Sequence, residues 1–169
     1  MEYQEIEGDL IKLALEGKFD VITHGCNCMC TMGAGIAPQM AKTFGCDKFD
    51  LENIIYQGDI NKLGQIEHRN FYIKNNKIHF LEKFNQINLS VVNSYTQMFP
   101  GKPSPGCQIP LDYEALTLCL RKINYIFKGK HIGLPLIGCG LAGGDWNLVK
   151  KIIQNELKDM EITVVHYKK

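Results

Sequence analysis

The amino-acid sequence predicts an α/β domain in which helices cover both faces of a largely parallel sheet, and three observations lead to it. Short β-branched and aromatic runs alternate with amphipathic helical patterns, the order that crossovers between parallel strands produce. Two strand-to-helix junctions, at residues 23–37 and 138–146, are rich in glycine. The 169 residues, 45% of them apolar, suffice for one core and show no linker, repeat or low-complexity tract, so residues 1–169 read as a single domain.

Residues 3–6 read as a first strand, followed by Gly8-Asp9-Leu10 and a helical turn through Leu10, Leu13, Ala14 and Leu15 that stops at Gly17. Asp9 sits where an N-cap is needed. A second strand is expected over 19–24. After the first glycine loop, Ile36, Ala37, Met40, Ala41 and Phe44 mark one helical face, with Pro38 in the first turn and Gly45 at the end. Residues 50–60 are expected to hold a short helix through Leu51, Ile54 and Ile55 and then a turn at Gly58-Asp59. Strands are expected at 65–73, 78–81 and 89–95, separated by Asn-Asn and Asn-Gln turn signals. Residues 98–110, with four prolines and two glycines, read as a loop long enough to form a rim or lid. The clearest helix follows: Tyr113, Leu116, Leu120, Ile123 and Phe127 share one face, between Asp112 as N-cap and Gly129 past the end. A buried strand at 131–137 leads into the second glycine loop. Leu148, Val149, Ile152, Ile153 and Leu157 mark a further helix, and 161–167 a last strand.

Composition narrows the function. A net charge of +1, from 19 basic and 18 acidic residues with no basic run beyond the closing Lys168-Lys169, argues against an extended nucleic-acid surface. No stretch is apolar enough to span a membrane and the acidic start is unlike a signal peptide, so a cytoplasmic protein is expected, with no membrane partner and as a monomer. Seven cysteines, an odd number, fit reduced thiols. Cys26, Cys28 and Cys30 alternate, but zinc knuckles pair cysteines two to four residues apart and need a second pair that is missing, so neither a metal nor a cofactor is expected.

A strand that ends in glycines and reopens as a helix presents free amides at a positive dipole end, which suits a phosphate or diphosphate. Gly138-Cys-Gly-Leu-Ala-Gly143 spells a dinucleotide fingerprint, yet only one helix and one strand follow it, too little for a second mononucleotide half. A Walker-type loop fails as well, because Gly101-Lys102 is followed by proline. Two glycine loops at the carboxyl ends of neighbouring strands would instead hold the two sides of one diphosphate.

In this respect the chain resembles a macro domain, the ADP-ribose-binding module. The features that carry the resemblance are Asp9, Asn27, the run Met32-Gly33-Ala34-Gly35-Ile36-Ala37 and the run Gly138-Cys139-Gly140-Leu141-Ala142-Gly143, in that order over nearly the whole chain. The resemblance implies a three-layer α/β/α fold with a mixed, largely parallel central sheet. It implies that Asp9, beside Leu10, accepts a hydrogen bond from the adenine amino group, that Asn27 bonds the distal ribose, and that Gly33, Ala34, Gly35 and Ile36 with Gly138, Cys139, Gly140, Leu141, Ala142 and Gly143 line the diphosphate and distal ribose. Tyr167 is a candidate to stack on adenine, or an ordinary strand-end aromatic.

Within the family, the strand end His24-Gly-Cys-Asn-Cys and the run Gly-Leu-Ala-Gly-Gly-Asp-Trp are most similar to the branch with ADP-ribose-1″-phosphate phosphatases and terminal ADP-ribose glutamate hydrolases. This implies a hydrolase acting on ADP-ribose-1″-phosphate or on an ADP-ribosylated target. The chain departs from the glutamate hydrolases, with Ala142 at the aspartate position and, around Thr96-Gln97 past the strand at 89–95, no lysine nearer than Lys102, so a lysine-adduct mechanism does not fit. His24 and Asp145 remain as catalytic candidates to position and deprotonate a water. Each has a plain alternative, His24 as a hydrogen-bonded strand residue and Asp145 as the N-cap of the next helix. An ADP-ribose reader without chemistry is the other functional class.

Overall fold

A computed structural model describes residues 2–49, 57–105 and 109–168. The expected helix through Leu51, Ile54 and Ile55 lies outside the described residues, as does Cys107. Seven strands, β1 (Tyr3–Gly8), β2 (Val21–Asn27), β3 (Ile66–Lys74), β4 (Lys77–His79), β5 (Leu89–Gln97), β6 (His131–Leu134) and β7 (Glu161–Tyr167), form one sheet. Their order is β1-β7-β6-β2-β5-β3-β4. The first five in that order are mutually parallel, and β3 and β4 complete the sheet antiparallel. The turn between β3 and β4 is Asn75-Asn76, both at positive φ (53° and 59°), the conformation a two-residue hairpin demands and asparagine tolerates.

Four helices cover the two faces: α1 (Leu10–Leu15), α2 (Ala37–Phe44), α3 (Tyr113–Ile126) and α4 (Trp146–Glu156). On one face Leu10, Ile11 and Ala14 of α1 and Met40 and Phe44 of α2 pack on Ile22 and Val91. On the other, Leu116, Leu120 and Ile123 of α3 and Val149 and Ile153 of α4 pack on Val92 and Ile132. Leu116, Leu120 and Ile123 are completely buried, and each side chain removed from water in this way stabilises the fold by about 1.5–3 kcal/mol. The helix spacing in the sequence is thus the spacing of the core. A charged strap ties α4 to the sheet edge, with Glu5 accepting from Lys150 Nζ and His166 Nε2, both at 2.7 Å. The Lys150 ammonium is the main reason the Glu5 carboxyl is pulled down to about 2.

Several strand boundaries differ from the sequence reading: the first strand runs to Gly8 rather than residue 6, and the one expected at 89–95 runs to Gln97. The second strand does not stop at His24 but runs to Asn27, because Gly25 pairs with Ser94, and Cys26 with Tyr95, inside the ladder. Gly25 is there for packing: a Cβ would lie 2.9 Å from Thr96 Oγ1. β6 ends at Leu134 rather than 137, since Pro135 has no amide to give the ladder. The hairpin strand expected at 78–81 is only Lys77–His79. No helix among the described residues is long and apolar enough to cross a membrane.

Gly133, in the middle of β6, is pressed against Phe19, where an added Cβ would come within 2.7 Å of the ring. Gly133→Ala is expected to lower stability by about 1–3 kcal/mol through overpacking, read as a lower urea midpoint at unchanged slope.

Candidate functional site

β6 is shorter than both of its neighbours. Leu134 pairs with Val164, after which β7 continues for three residues, to Tyr167. β2 pairs with β6 at Val21 and Ile22 and continues to Asn27. Three residues of strand rise roughly 10 Å, so the carboxyl edge of the sheet has a notch of that depth at its centre. A cavity of about 740 Å³ occupies it, lined by Gly8 at the end of β1 and Asp9 just after it, Tyr167 of β7, Asn27 of β2, Gln97 of β5 and the segment 135–142 after β6. Both glycine loops therefore reach one cavity, at the place where open α/β sheets bind ligands.

The first loop wall consists of Gly33, Ala34, Gly35, Ile36 and Ala37, and the second of Gly138, Cys139, Gly140, Leu141 and Ala142. Among the described residues, no hydrogen bond is made by the amides of Gly33, Ala34, Gly35, Ile36, Gly138, Gly140, Leu141 or Ala142. Ile36 is the N-cap of α2 and makes no side-chain cap bond, and a proline stands in the first turn. The helix's free first-turn amides and positive dipole end belong to the same wall. No lysine or arginine lines the cavity, so an anion placed there is held by main-chain donors. Gly33 and Gly140 are not at positive φ, and a Cβ on either would meet nothing within 4 Å. Nothing in the protein itself requires glycine at these two positions.

Asn27 latches the first loop. Its Nδ2 donates to Thr31 O at 2.8 Å, and its Oδ1 accepts from the amide and hydroxyl of Thr31, each at 3.3 Å. One amide hydrogen remains uncommitted. Asp9 is the N-cap of α1, with Oδ1 accepting from Ile11 N at 2.9 Å and Lys12 N at 3.1 Å. Its Oδ2 has no partner among the described residues, so capping and cavity lining coexist in one carboxylate. Tyr167 and Leu10 also line the cavity, and Tyr167 is 64% exposed.

Neither catalytic candidate lines the cavity. His24 is fully buried, with Nε2 at 2.8 Å from Asn93 Oδ1, while Asn93 Nδ2 donates to Cys46 O at 2.8 Å. Because the Asn93 oxygen accepts, Nε2 carries the proton and Nδ1 is left without a partner. Burial holds the His24 imidazole down to about 4, so it is neutral at pH 7. Asp145 caps α4 through Asn147 N at 2.9 Å and lies outside the cavity. Gly143 also drops out, since it turns the chain behind the loop at φ 71° against Pro103. Cys139 lines the wall, but burial pushes its thiol up to about 11. Among the described residues, no group of three or more metal-ligating side chains gathers at Cys26, Cys28 and Cys30 or elsewhere.

Sequence reasoning missed Thr31, Gln39 and Gln97, which also line the cavity. Gln97 is the last residue of β5, so its position at a parallel strand end was the available signal. Its Nε2 donates to Phe99 O at 2.8 Å and fixes the start of the proline-rich loop, of which Pro100 and Gly101 form part of the rim.

Comparison with solved structures finds the same fold in several proteins. A structure from Bacteroides thetaiotaomicron superposes with a TM-score of 0.67 at 26% identity, covering 98% of this chain and 99% of that one. The macrodomain of Thermus aquaticus DarG superposes with a TM-score of 0.60 at 20% identity, over 99% and 98% of the two chains. Thermosipho africanus DarTG in complex with ADP-ribose gives a TM-score of 0.65 at 19% identity, covering 99% of this chain and 42% of that one. The fold is that of a macro domain. No family model matches the chain. Among curated proteins, an uncharacterized 17.5 kDa protein from the tk-vs intergenic region of Enterobacteria phage T4 is 32% identical over 170 residues, 96% of this chain and 94% of its own length, and the chain belongs to that protein's family.

Two outcomes test this geometry. The His24 ring resonances in a proton NMR titration should stay constant from pH 8 to about pH 5, and a midpoint near 7 would return His24 to acid–base duty. Asn27→Ala should leave the fold intact while exchange of the Cys30 and Thr31 amides accelerates by an order of magnitude or more, since about 1–3 kcal/mol of latch is removed.

Proposed function

We propose that the chain binds ADP-ribose in the notch. The observation that supports this best is two rows of uncommitted main-chain amides, from loops a hundred residues apart, lining one cavity without a cationic side chain. A diphosphate presents oxygens on two sides and suits such a clamp. Asp9 Oδ2 accepts from the adenine amino group, Tyr167 covers the base, and the spare amide hydrogen of Asn27 reaches a ribose hydroxyl. Gly33 and Gly140 leave room for the ligand to approach the backbone closely. The fold shared with a protein solved in complex with ADP-ribose points the same way.

For hydrolysis of ADP-ribose-1″-phosphate or release of ADP-ribose from a target, the chemistry falls to a water aligned by the clamp amides, with His24 and Asp145 taking no direct part. The reader function has a specific observation in its favour: the cavity holds no histidine, lysine or arginine, and burial raises both of its thiols, Cys26 and Cys139.

Calorimetric titration with ADP-ribose, with AMP and NAD as controls, tests the binding. Asp9→Ala should weaken ADP-ribose by roughly ten- to a hundredfold, since a hydrogen bond to a charged group contributes about 1.5–3 kcal/mol. Gly140→Val should abolish binding without loss of fold. No heat with ADP-ribose at millimolar ligand would overturn the proposal. Turnover is read on ADP-ribose-1″-phosphate and on proteins ADP-ribosylated at acidic residues. Asp145→Asn, which keeps the cap, should match the wild type on every substrate.

A further inference from the structure

β4 is an outer strand of the sheet and pairs on one side only, with β3. The register shows which of its main-chain groups are left over. Ile73 of β3 lies opposite Ile78 of β4, yet the Ile73 N–H donates to Asn88 Oδ1 and its C=O accepts from Asn88 Nδ2, both at 2.8 Å, on the side of β3 where β5 begins. Ile73 and Ile78 are therefore a pair without ladder hydrogen bonds, and the N–H and C=O of Ile78 point out of the open edge.

An open edge is ordinarily guarded by polar side chains, and this one carries apolar side chains in water as well. Ile78, Phe80, Leu81 and Phe84 are all exposed, Phe80 at 96% and Phe84 at 85%. Four large hydrophobic residues within seven positions mark an interaction surface. The chain around them is built rather than loose: Gln86 Oε1 accepts from the amides of Glu82 and Lys83 at 3.2 and 3.1 Å and holds the turn that carries Phe84. Lys74, Lys77 and Lys83 stand in the same stretch with a single acid, Glu82. Among the described residues, none of the three lysines forms an ion pair. No residue of 74–84 lines the notch cavity, so this edge is separate from the site above.

We propose that the edge receives an extended segment of a partner protein, rich in alternating acidic and apolar residues, as an added strand beside β4. The main-chain groups of Ile78 fix its register, its apolar side chains cover Phe80 and Phe84, and its carboxylates meet the lysines. A second copy of the chain would set lysines against lysines, which opposes pairing. A nucleic acid would meet the lysines and the rings but leave the strand edge unused.

The test is fluorescence anisotropy on the full chain with two synthetic libraries of extended peptides of about ten residues, the length of a long strand. One has Asp or Glu at alternate positions with apolar residues between them, and the other has Lys at the same positions. Members of the acidic library should bind, more weakly as salt rises, and the basic library should not. Methylation of every other peptide amide, in one of its two phases, should weaken the best acidic peptide about tenfold or more, and so should Phe80→Ser/Phe84→Ser. Both rings lie in water, so that variant should keep the urea midpoint of the wild type. Lys74→Glu/Lys77→Glu should turn the preference towards the basic library. Binding by neither library, equal binding by both, or binding that survives methylation in both phases overturns the proposal. A concentration-dependent dimer in sedimentation that Phe80→Ser/Phe84→Ser abolishes also overturns it and gives the edge to a second copy. Displacement of the peptide by oligothymidylate overturns it in favour of single-stranded nucleic acid.

Discussion

The site depends on the parallel pairing of five neighbouring strands. In a parallel set every carboxyl end emerges on the same edge, so the loops after β1, β7, β6, β2 and β5 are brought together whatever their sequences. Residues as far apart as Gly8, Asn27, Gln97, Gly138 and Tyr167 then line one cavity. The β2–β5 pair at the centre of this arrangement has to be tight. Gly25 gives up its side chain to Thr96, Thr23 Oγ1 and Ser94 Oγ lie 2.7 Å apart, and the His24–Asn93–Cys46 chain fastens both strands to the turn beyond α2.

That fastening explains why the polar residues of β2 are easy to misread. A histidine at a strand end next to glycine and cysteine looks like reactive chemistry, and in a loop it would be exposed. Three more residues of strand turn the same side chain into the core, where desolvation suppresses its charge and a neighbouring amide fixes its tautomer. The cysteines follow the same logic. Cys26, Cys28 and Cys46 are small, buried and protonated, and they fill space beneath the first loop, where larger side chains would lift it.

Much of the architecture was legible because it rests on periodicity and on punctuation. Leu116, Leu120 and Ile123 announce α3, Gly45 and Asp112 mark helix ends, and the two glycine runs announce the walls of the cavity. What could not be read is set by partners distant in the chain. Whether a strand continues through Gly25 depends on Thr96, and whether Asp145 faces a ligand depends on how α4 sits against Tyr113, whose hydroxyl accepts from the Asp145 amide. Gly143 belongs with these, since a side chain there would run into Pro103 in the loop after β5. Gln97 was hidden because a glutamine has no signature of its own and acquires a role only from where its strand stops.

The early end of β6 has a wider meaning. The cavity is a place where the sheet is missing, and a single imino acid, Pro135, decides how much is missing. The depth of the notch is therefore set by the length of one short strand, and the loops on either side set its width. A chain of this architecture can alter its preferred guest by gaining or losing a rung of ladder, with its walls left as they are.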